Sequence, residues 1–487
     1  MIKKIKSKLF FETKTIRGTI LKNFLWLGTS QVGSRLIKSA ITIYAARALG
    51  TAGYGVFSYA MALTGFFIFF KNIGVDSILT REVARRPAER EQLFATSFWL
   101  EIGLLAVTAF LLFFIAPLFN RIPEALILIP VLAVMLIADD LKDLFVAFFR
   151  GIEKMEWEAI VVVATNIAIV IFGFVALLIS ASPLYLALAY AAAAVFGAFL
   201  AGGIIFFRHT KGFFRSFDRN LIAPILRSAW PIAFGGLASI FLFNIDIVML
   251  GFWRTVDDVG IYAAVQKIVG ILTVIPTLVG ASTFPMFSRL AHVKDSARVR
   301  QVMESLIGAL FLFAAPLVLG GTVLGASLLK FIFGSAYGAG ANAMAVLLFS
   351  IFPIFLMVIF ANFIFAYDEQ RKTIGYPIIA SLVNVGLNFL LVPRLGMIGA
   401  SLATVASSMI YAFLMFRFCR KIEEFSLWRG FQKVLVAAII MTIFTWSIQL
   451  LNLHVILNII LSAALYFFIL KLLKEKMLEE ILAIVKK

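Results

Sequence analysis

The sequence predicts an all-α integral membrane protein. About fourteen transmembrane helices form two six-helix lobes plus a C-terminal helix pair. Three observations carry that expectation. Of 487 residues, 62% are hydrophobic and only 14% charged, against about 45–50% and about 25% in an ordinary soluble domain. The apolar residues recur in runs of about 20, the length that crosses a bilayer as a helix. The loops between the runs are short, and their Lys and Arg content alternates.

The runs fall at about 23–47, 55–79, 92–117, 125–149, 159–180, 184–207, 223–251, 257–287, 299–325, 341–366, 373–392, 396–419, 430–450 and 453–473. They are too long, and too little alternating, for barrel strands. Of the 44 Lys and Arg residues, 34 lie in the tails and in every second loop. Only Arg47, Arg121, Arg254, Lys330 and Arg394 lie in the opposite set. By the positive-inside rule the rich set is cytoplasmic, so the chain is a multi-pass protein of the cell membrane with both termini inside. The net charge of +18 is thus a topology signal and an attraction for anionic lipid heads, not a nucleic-acid footprint.

Residues 1–22 form a basic cytoplasmic tail without the apolar core and cleavage site of a secretory signal. The lobes are 23–207 and 223–419, joined by the basic linker 208–222. Residues 420–487 hold a basic segment, helices 13–14 and the C-terminal tail. An internal repeat supports the lobes. GYGVFSYA (Gly53–Ala60) opens the second span and DVGIYAAV (Asp258–Val265) the eighth, aligning Gly55 with Gly260. The fourth and tenth spans end alike, in AFFRGIEKME and FIFAYDEQRK. Both lobes start from the cytoplasm, so the repeat is parallel, an arrangement that places a transporter's substrate site between its halves.

Charges inside the spans mark the candidate site. Arg35 and Lys38 share a face of the first helix, Lys71 and Asp76 lie in the second, and ADDLKDLF in the fourth holds Asp139, Lys142 and Asp143. Asp246 is mid-span in the seventh helix and Lys267 lies in the eighth. A charge at the bilayer centre costs about 2.5–17 kcal/mol, so these groups face a water-filled cavity or one another. Arg and Lys suit phosphate groups. Asn244, Asn362, Asn384, Asn388, Tyr262 and Tyr367 are the groups for sugar hydroxyls, or else they cross-link helices.

Other chemistries lack their residues. There is no phosphate-binding Gly-x-x-x-x-Gly-Lys-Ser/Thr loop. The single cysteine, Cys419, excludes a disulfide framework or a cysteine metal cluster. His209, His292 and His454 are scattered. No cofactor, metal or enzymatic activity is expected.

ARALGTAGYGVFSYAMAL with KNIGVDSILTREVARRP, and FNIDIVMLGFW followed by VGIYAAVQKI, resemble the O-antigen flippase-like oligosaccharide and polysaccharide flippases of the multidrug/oligosaccharidyl-lipid/polysaccharide exporter superfamily. The resemblance spans about 23 to 473. It implies a V-shaped central cavity and alternating access that carries a polyprenyl-diphosphate-linked oligosaccharide from the inner to the outer leaflet, for cell-surface polysaccharide synthesis. Arg35, Lys38, Lys71 and Lys267 would be the cavity cations meeting the diphosphate. Asp76, Asp143 and Asp246 would be the acids for ion coupling or pairing. The implied partners are the lipid-linked glycan, membrane lipids and glycan polymerase or ligase proteins. A lipid II flippase or an ion-coupled multidrug exporter of the same superfamily stays open, as does a membrane-embedded sugar polymerase or transferase.

Overall fold

The computed structural model describes residues 16–67, 73–208, 216–293, 295–427, 431–451, 453–475 and 478. Side chains at 16–32, 34–36, 208, 230–237, 239–240, 243, 278, 281–282, 284–285 and 292–293 are not among the described ones. The expectations on the tail before residue 16, on Lys71 and on the side chain of Arg35 fall outside this set.

Among the described residues the chain is helical without strands. Among the described residues ten helices are long and apolar enough to span a membrane: Pro87–Phe114, Met155–Ile179, Pro183–Phe207, Val256–Thr277, Ser296–Phe333, Ser335–Ala366, Gln370–Leu395, Met397–Ile422, Phe431–Leu450 and Val455–Leu472. The protein is therefore a multi-pass membrane protein. The expected spans 23–47, 55–79, 125–149 and 223–251 are not in this set, although helices cover most of them. The helix over 125–149 carries Asp139, Asp140, Lys142 and Asp143, too many charges for an apolar span.

The expected second span is not one unbroken helix. Helix α1 (Ile16–Phe66) is kinked at Gly50, whose φ of 67° favours glycine. The chain resumes as α2 (Val75–Arg85) after Gly74, again left-handed with φ 89°. The Ile-Gly-x-Asp motif thus encodes a helix restart: Gly74 turns the chain, and Asp76 lies in the first turn of α2, where a negative charge suits the helix dipole. The expected eighth span is likewise divided, into α8 and α9 (below).

The chain divides into two compact units, one running through Ala48 and then Leu63–Phe234, the other holding Leu49–Ala62 and the chain from Gly235. In the first unit, α3 (Arg90–Phe114), α4 (Leu128–Gly151), α5 (Met155–Ile179) and α6 (Pro183–Arg208) follow α2. Phe94, Phe145, Phe148 and Phe149 are buried together with Val75, Leu79 and Val83, and Phe94 meets Phe148 edge-on at 5.2 Å. Small residues bring the backbones close, as expected where lipid removes the hydrophobic drive between helices. A Cβ on Gly151 would lie 2.8 Å from Val83, and Thr80 Oγ1 donates to the Ala147 carbonyl at 2.9 Å. Arg150 grips the buried carboxylate of Glu158 with two nitrogens, Nε at 2.7 Å.

The second unit contains α7 (Ile222–Trp253) from Gly235 on, α8 (Val256–Leu272), α9 (Val274–Val293), α10 (Ser296–Phe333), α11 (Ala341–Leu347), α12 (Ile351–Ala366), α13 (Gly375–Leu395), α14 (Met397–Ile422), α15 (Phe431–Leu450) and α16 (Val455–Leu472). Pro316 inside α10 lacks an N–H and leaves the carbonyl of Leu312 unpaired within the helix. Tyr466 of α16 donates its hydroxyl to that carbonyl at 2.8 Å. Val434, Ala438 and Met441 of α15 pack in the same core.

The two glycines aligned by the repeat meet in this unit. A Cβ on Gly55 would sit 2.0 Å from the Val256 carbonyl, and one on Gly260 2.0 Å from the Thr51 carbonyl. The contact is reciprocal: Thr51 and Gly55 stand to α8 as Val256 and Gly260 stand to α1. The Thr51 hydroxyl also donates to Asp257. Two backbones approach this closely only where both lack a side chain.

Candidate functional site

Two polar constellations stand out among the described residues, one in each unit. In the first, one turn of α4 supplies Asp139, Lys142 and Asp143. Lys142 Nζ lies 2.7 Å from Asp139 Oδ1 and 3.5 Å from Asp143 Oδ1. Spacings of three and one residues keep the amine within reach of both acids. The stem of Lys142 packs on α6 beside Gly197, where a Cβ would lie 3.2 Å from Cδ. Lys38 of α1 is exposed and lies 5.7 Å from the centroid of the Tyr190 ring, within the fields of Asp139 and Lys142. Tyr190 hydrogen-bonds Thr42, and Thr42 returns a bond to the Lys38 carbonyl at 2.9 Å. Lys38 and Lys142 thus stand beside the carboxylates of Asp139 and Asp143.

The second constellation is built from four helices. Asp246 of α7 is 0% exposed. Its carboxylate accepts from Tyr262 Oη of α8 at 2.8 Å, from Asn388 Nδ2 of α13 at 2.8 Å and from the Thr404 hydroxyl of α14. Asn388 also donates to Asn384 Oδ1 at 3.0 Å, and Asn384 donates to Ser407 at 3.1 Å. Every hydrogen-bond partner of Asp246 is neutral. Asn388 Oδ1 is buried and accepts no hydrogen bond. A carboxylate among hydroxyls and amides, with a spare amide oxygen beside it, is a set of hard oxygen donors that can take up a proton or a small cation.

The residues singled out in the sequence are therefore divided. Lys38 stands with the Lys142 pair, and Asp143 is exposed and paired to Lys142. Asp76 is half-buried in α2, in the field of Arg150. Lys267 is exposed on α8. Tyr262, Asn384 and Asn388 are wholly buried and bound into the Asp246 cluster, the helix-linking alternative. Asn362 donates to the Val358 carbonyl of its own helix at 2.8 Å. Tyr367 donates to Glu423 at 3.3 Å, and burial, then the Glu423 charge, push its phenol up to about 12. Thr404 and Ser407 were missed. Their signal was the small polar run SLATVASS, which puts Ser401, Thr404 and Ser408 on one helical face.

The family model for polysaccharide biosynthesis proteins matches residues 20–291, more than half the chain. The chain belongs to the polysaccharide biosynthesis protein family. The lipid II flippase MurJ model matches residues 261–470. Among curated relatives, the probable flippase AglR of Haloferax volcanii is 27% identical over 36% of this chain and 37% of its own length. A putative O-antigen transporter of Shigella flexneri is 24% identical over 83% of this chain and 100% of its own length. Among solved structures, an inward closed lipid II flippase MurJ superposes with a TM-score of 0.77 at 15% identity, covering 93% of this chain and 99% of that one. An inward-facing multidrug transporter of the MATE family follows at 0.68 and 14%, over 80% and 98%. These likenesses place this member of the polysaccharide biosynthesis family in the fold shared by both transporter types.

Proposed function

We propose that the protein is a flippase that moves a polyprenyl-diphosphate-linked oligosaccharide from the inner to the outer leaflet by alternating access. The polysaccharide biosynthesis family and the flippase and O-antigen transporter names of its relatives support the activity. The observation that carries the chemistry is the Lys38 and Lys142 group. Two ammonium groups held on membrane helices suit a diphosphate better than a neutral or cationic drug. In this reading fourteen spans form two six-helix lobes, 23–207 and 223–419, and a C-terminal pair, with both termini cytoplasmic. Arg35, Lys71 and Lys267 are further candidate cations for the diphosphate, and glycan polymerase or ligase proteins receive the product.

Coupling is assigned to Asp246 rather than to Asp76 or Asp143. Asp143 is already neutralised by Lys142, and Asp76 stands at a helix start. Asp246 alone of the three is wholly buried among neutral donors. Uptake and release of a proton or monovalent cation there would change the charge of a four-helix junction.

The test is reconstitution in liposomes with a fluorescent polyprenyl-diphosphate oligosaccharide, scoring outer-leaflet accessibility. Wild type should move the lipid, and Lys38→Ala should not while remaining folded. Absence of wild-type movement, with drug efflux detected from the same vesicles, overturns the reading. The MurJ match over 261–470 favours lipid II as a second substrate reading. Competition between lipid II and the oligosaccharide lipid in this assay separates the two.

A further inference from the structure

Of the five Lys and Arg residues in the sparse loops, two meet in one cavity of the second unit. Arg254 follows α7 and donates Nε to the Val392 carbonyl at 3.1 Å and Nη2 to the Pro393 carbonyl at 2.7 Å. Both carbonyls belong to the last turn of α13, where intrahelical partners run out, so the guanidinium caps that helix and is held in place. It lies against Gly396, whose φ is 57° and where a Cβ would sit 3.3 Å from Nε. Arg394 is exposed in the same turn. The cavity at these residues measures about 250 Å³ and is also lined by Asn342, Asp258, Met397 and Ile398.

Among the described residues neither arginine forms an ion pair, and Asp258 is the single acid of the lining. The lining therefore carries one net positive charge. The amide groups that open α14 at Met397 and Ile398 have no side-chain cap. Beside the cavity, Trp253 is exposed and meets exposed Phe389 edge-on at 5.5 Å, followed by exposed Leu390. Aromatic and basic residues at the ends of spans mark headgroup depth.

We propose that this cavity binds the phosphodiester of a membrane lipid, with its acyl chains along Trp253, Phe389 and Leu390. The guanidinium fork suits phosphate oxygens. One net positive charge in the lining matches the single negative charge of a phosphodiester. The site is separate from the Lys38 group, and its binding can be read whether or not the flippase reading holds.

The test is native mass spectrometry of the full chain in detergent, titrated with phosphatidylglycerol, diacylglycerol and glycerol 3-phosphate. Phosphatidylglycerol should bind wild type, and about tenfold more weakly to Arg394→Gln, the scale of one lost charge-assisted hydrogen bond. Diacylglycerol should show no such difference. Arg121→Gln, which removes another sparse-loop cation, should bind like wild type. Equal binding by wild type and Arg394→Gln overturns the site, and so does equal weakening by Arg121→Gln. Glycerol 3-phosphate binding as tightly as the lipid overturns the lipid as its occupant.

Discussion

The two polar constellations solve one problem in opposite ways. In the first unit, the largely buried Lys142 amine of α4 is answered by carboxylates on its own helix, one and three residues away, of which Asp143 is exposed. In the second, a carboxylate is wholly buried and answered by neutral donors from three other helices. The first arrangement leaves Lys38 and Asp143 exposed. The second ties four helices together and makes their packing depend on the state of one carboxylate. Buried networks of this kind are costly when any member is lost. Under the proposed flippase reading, the first geometry suits a substrate contact and the second a coupling device.

The sharpest way to break the second arrangement is through the backbone that positions it. Gly260 precedes Tyr262 by two residues and allows α8 to touch the Thr51 carbonyl. Gly260→Leu should force the helices apart and withdraw Tyr262 from Asp246. A loss of at least about 3 kcal/mol is expected, at the upper end of overpacking costs because backbone cannot yield. Thermal unfolding in detergent would register it as little or no folded protein.

Asp246→Ala comes next. It strands the donors of Tyr262, Asn388 and Thr404, each at about 1–3 kcal/mol when left unmet. A lower unfolding midpoint and loss of ion-driven flipping are expected. Asp246→Asn should recover most of the midpoint but not the ion dependence, a split readable by measuring flipping with and without an imposed gradient.

Tyr466→Phe leaves the Leu312 carbonyl beside Pro316 without its donor. A cost of about 1–3 kcal/mol is expected from one unmet buried carbonyl, with flipping per folded molecule unchanged. Limited proteolysis should then cut between α15 and α16 sooner than in wild type.

The smallest stability effect belongs to the first unit. Lys142→Met should change the unfolding midpoint by less than about 1 kcal/mol, because the pair it breaks is partly exposed. Its flipping rate should nevertheless fall several-fold. A large stability loss with normal flipping would make the Lys142 group structural and erase the contrast between the units.

Much of this was legible in the chain. The composition required a bilayer, the 20-residue runs required helices, and ADDLKDLF gave a complete ionic group because its members share one turn. Family-level resemblance was legible in the Gly-aromatic entries and the Ile-Gly-x-Asp motif. The helix start at Val75 was not, because apolar residues run up to it and only Gly74 marks the turn.

Local order in the chain therefore determined what depends on neighbours within a few residues: span positions, the Lys142 pairing and the Gly50 kink. Tertiary structure alone decided that Gly55 meets Gly260, that Asn384 and Asn388 serve Asp246, that Tyr466 repairs the gap left by Pro316, and that Arg254 caps the helix ending near Arg394. In each case the partners lie far apart in sequence. A buried polar group announces that it needs a partner, because leaving it unmet is costly. Which residue answers is fixed only when the helices pack.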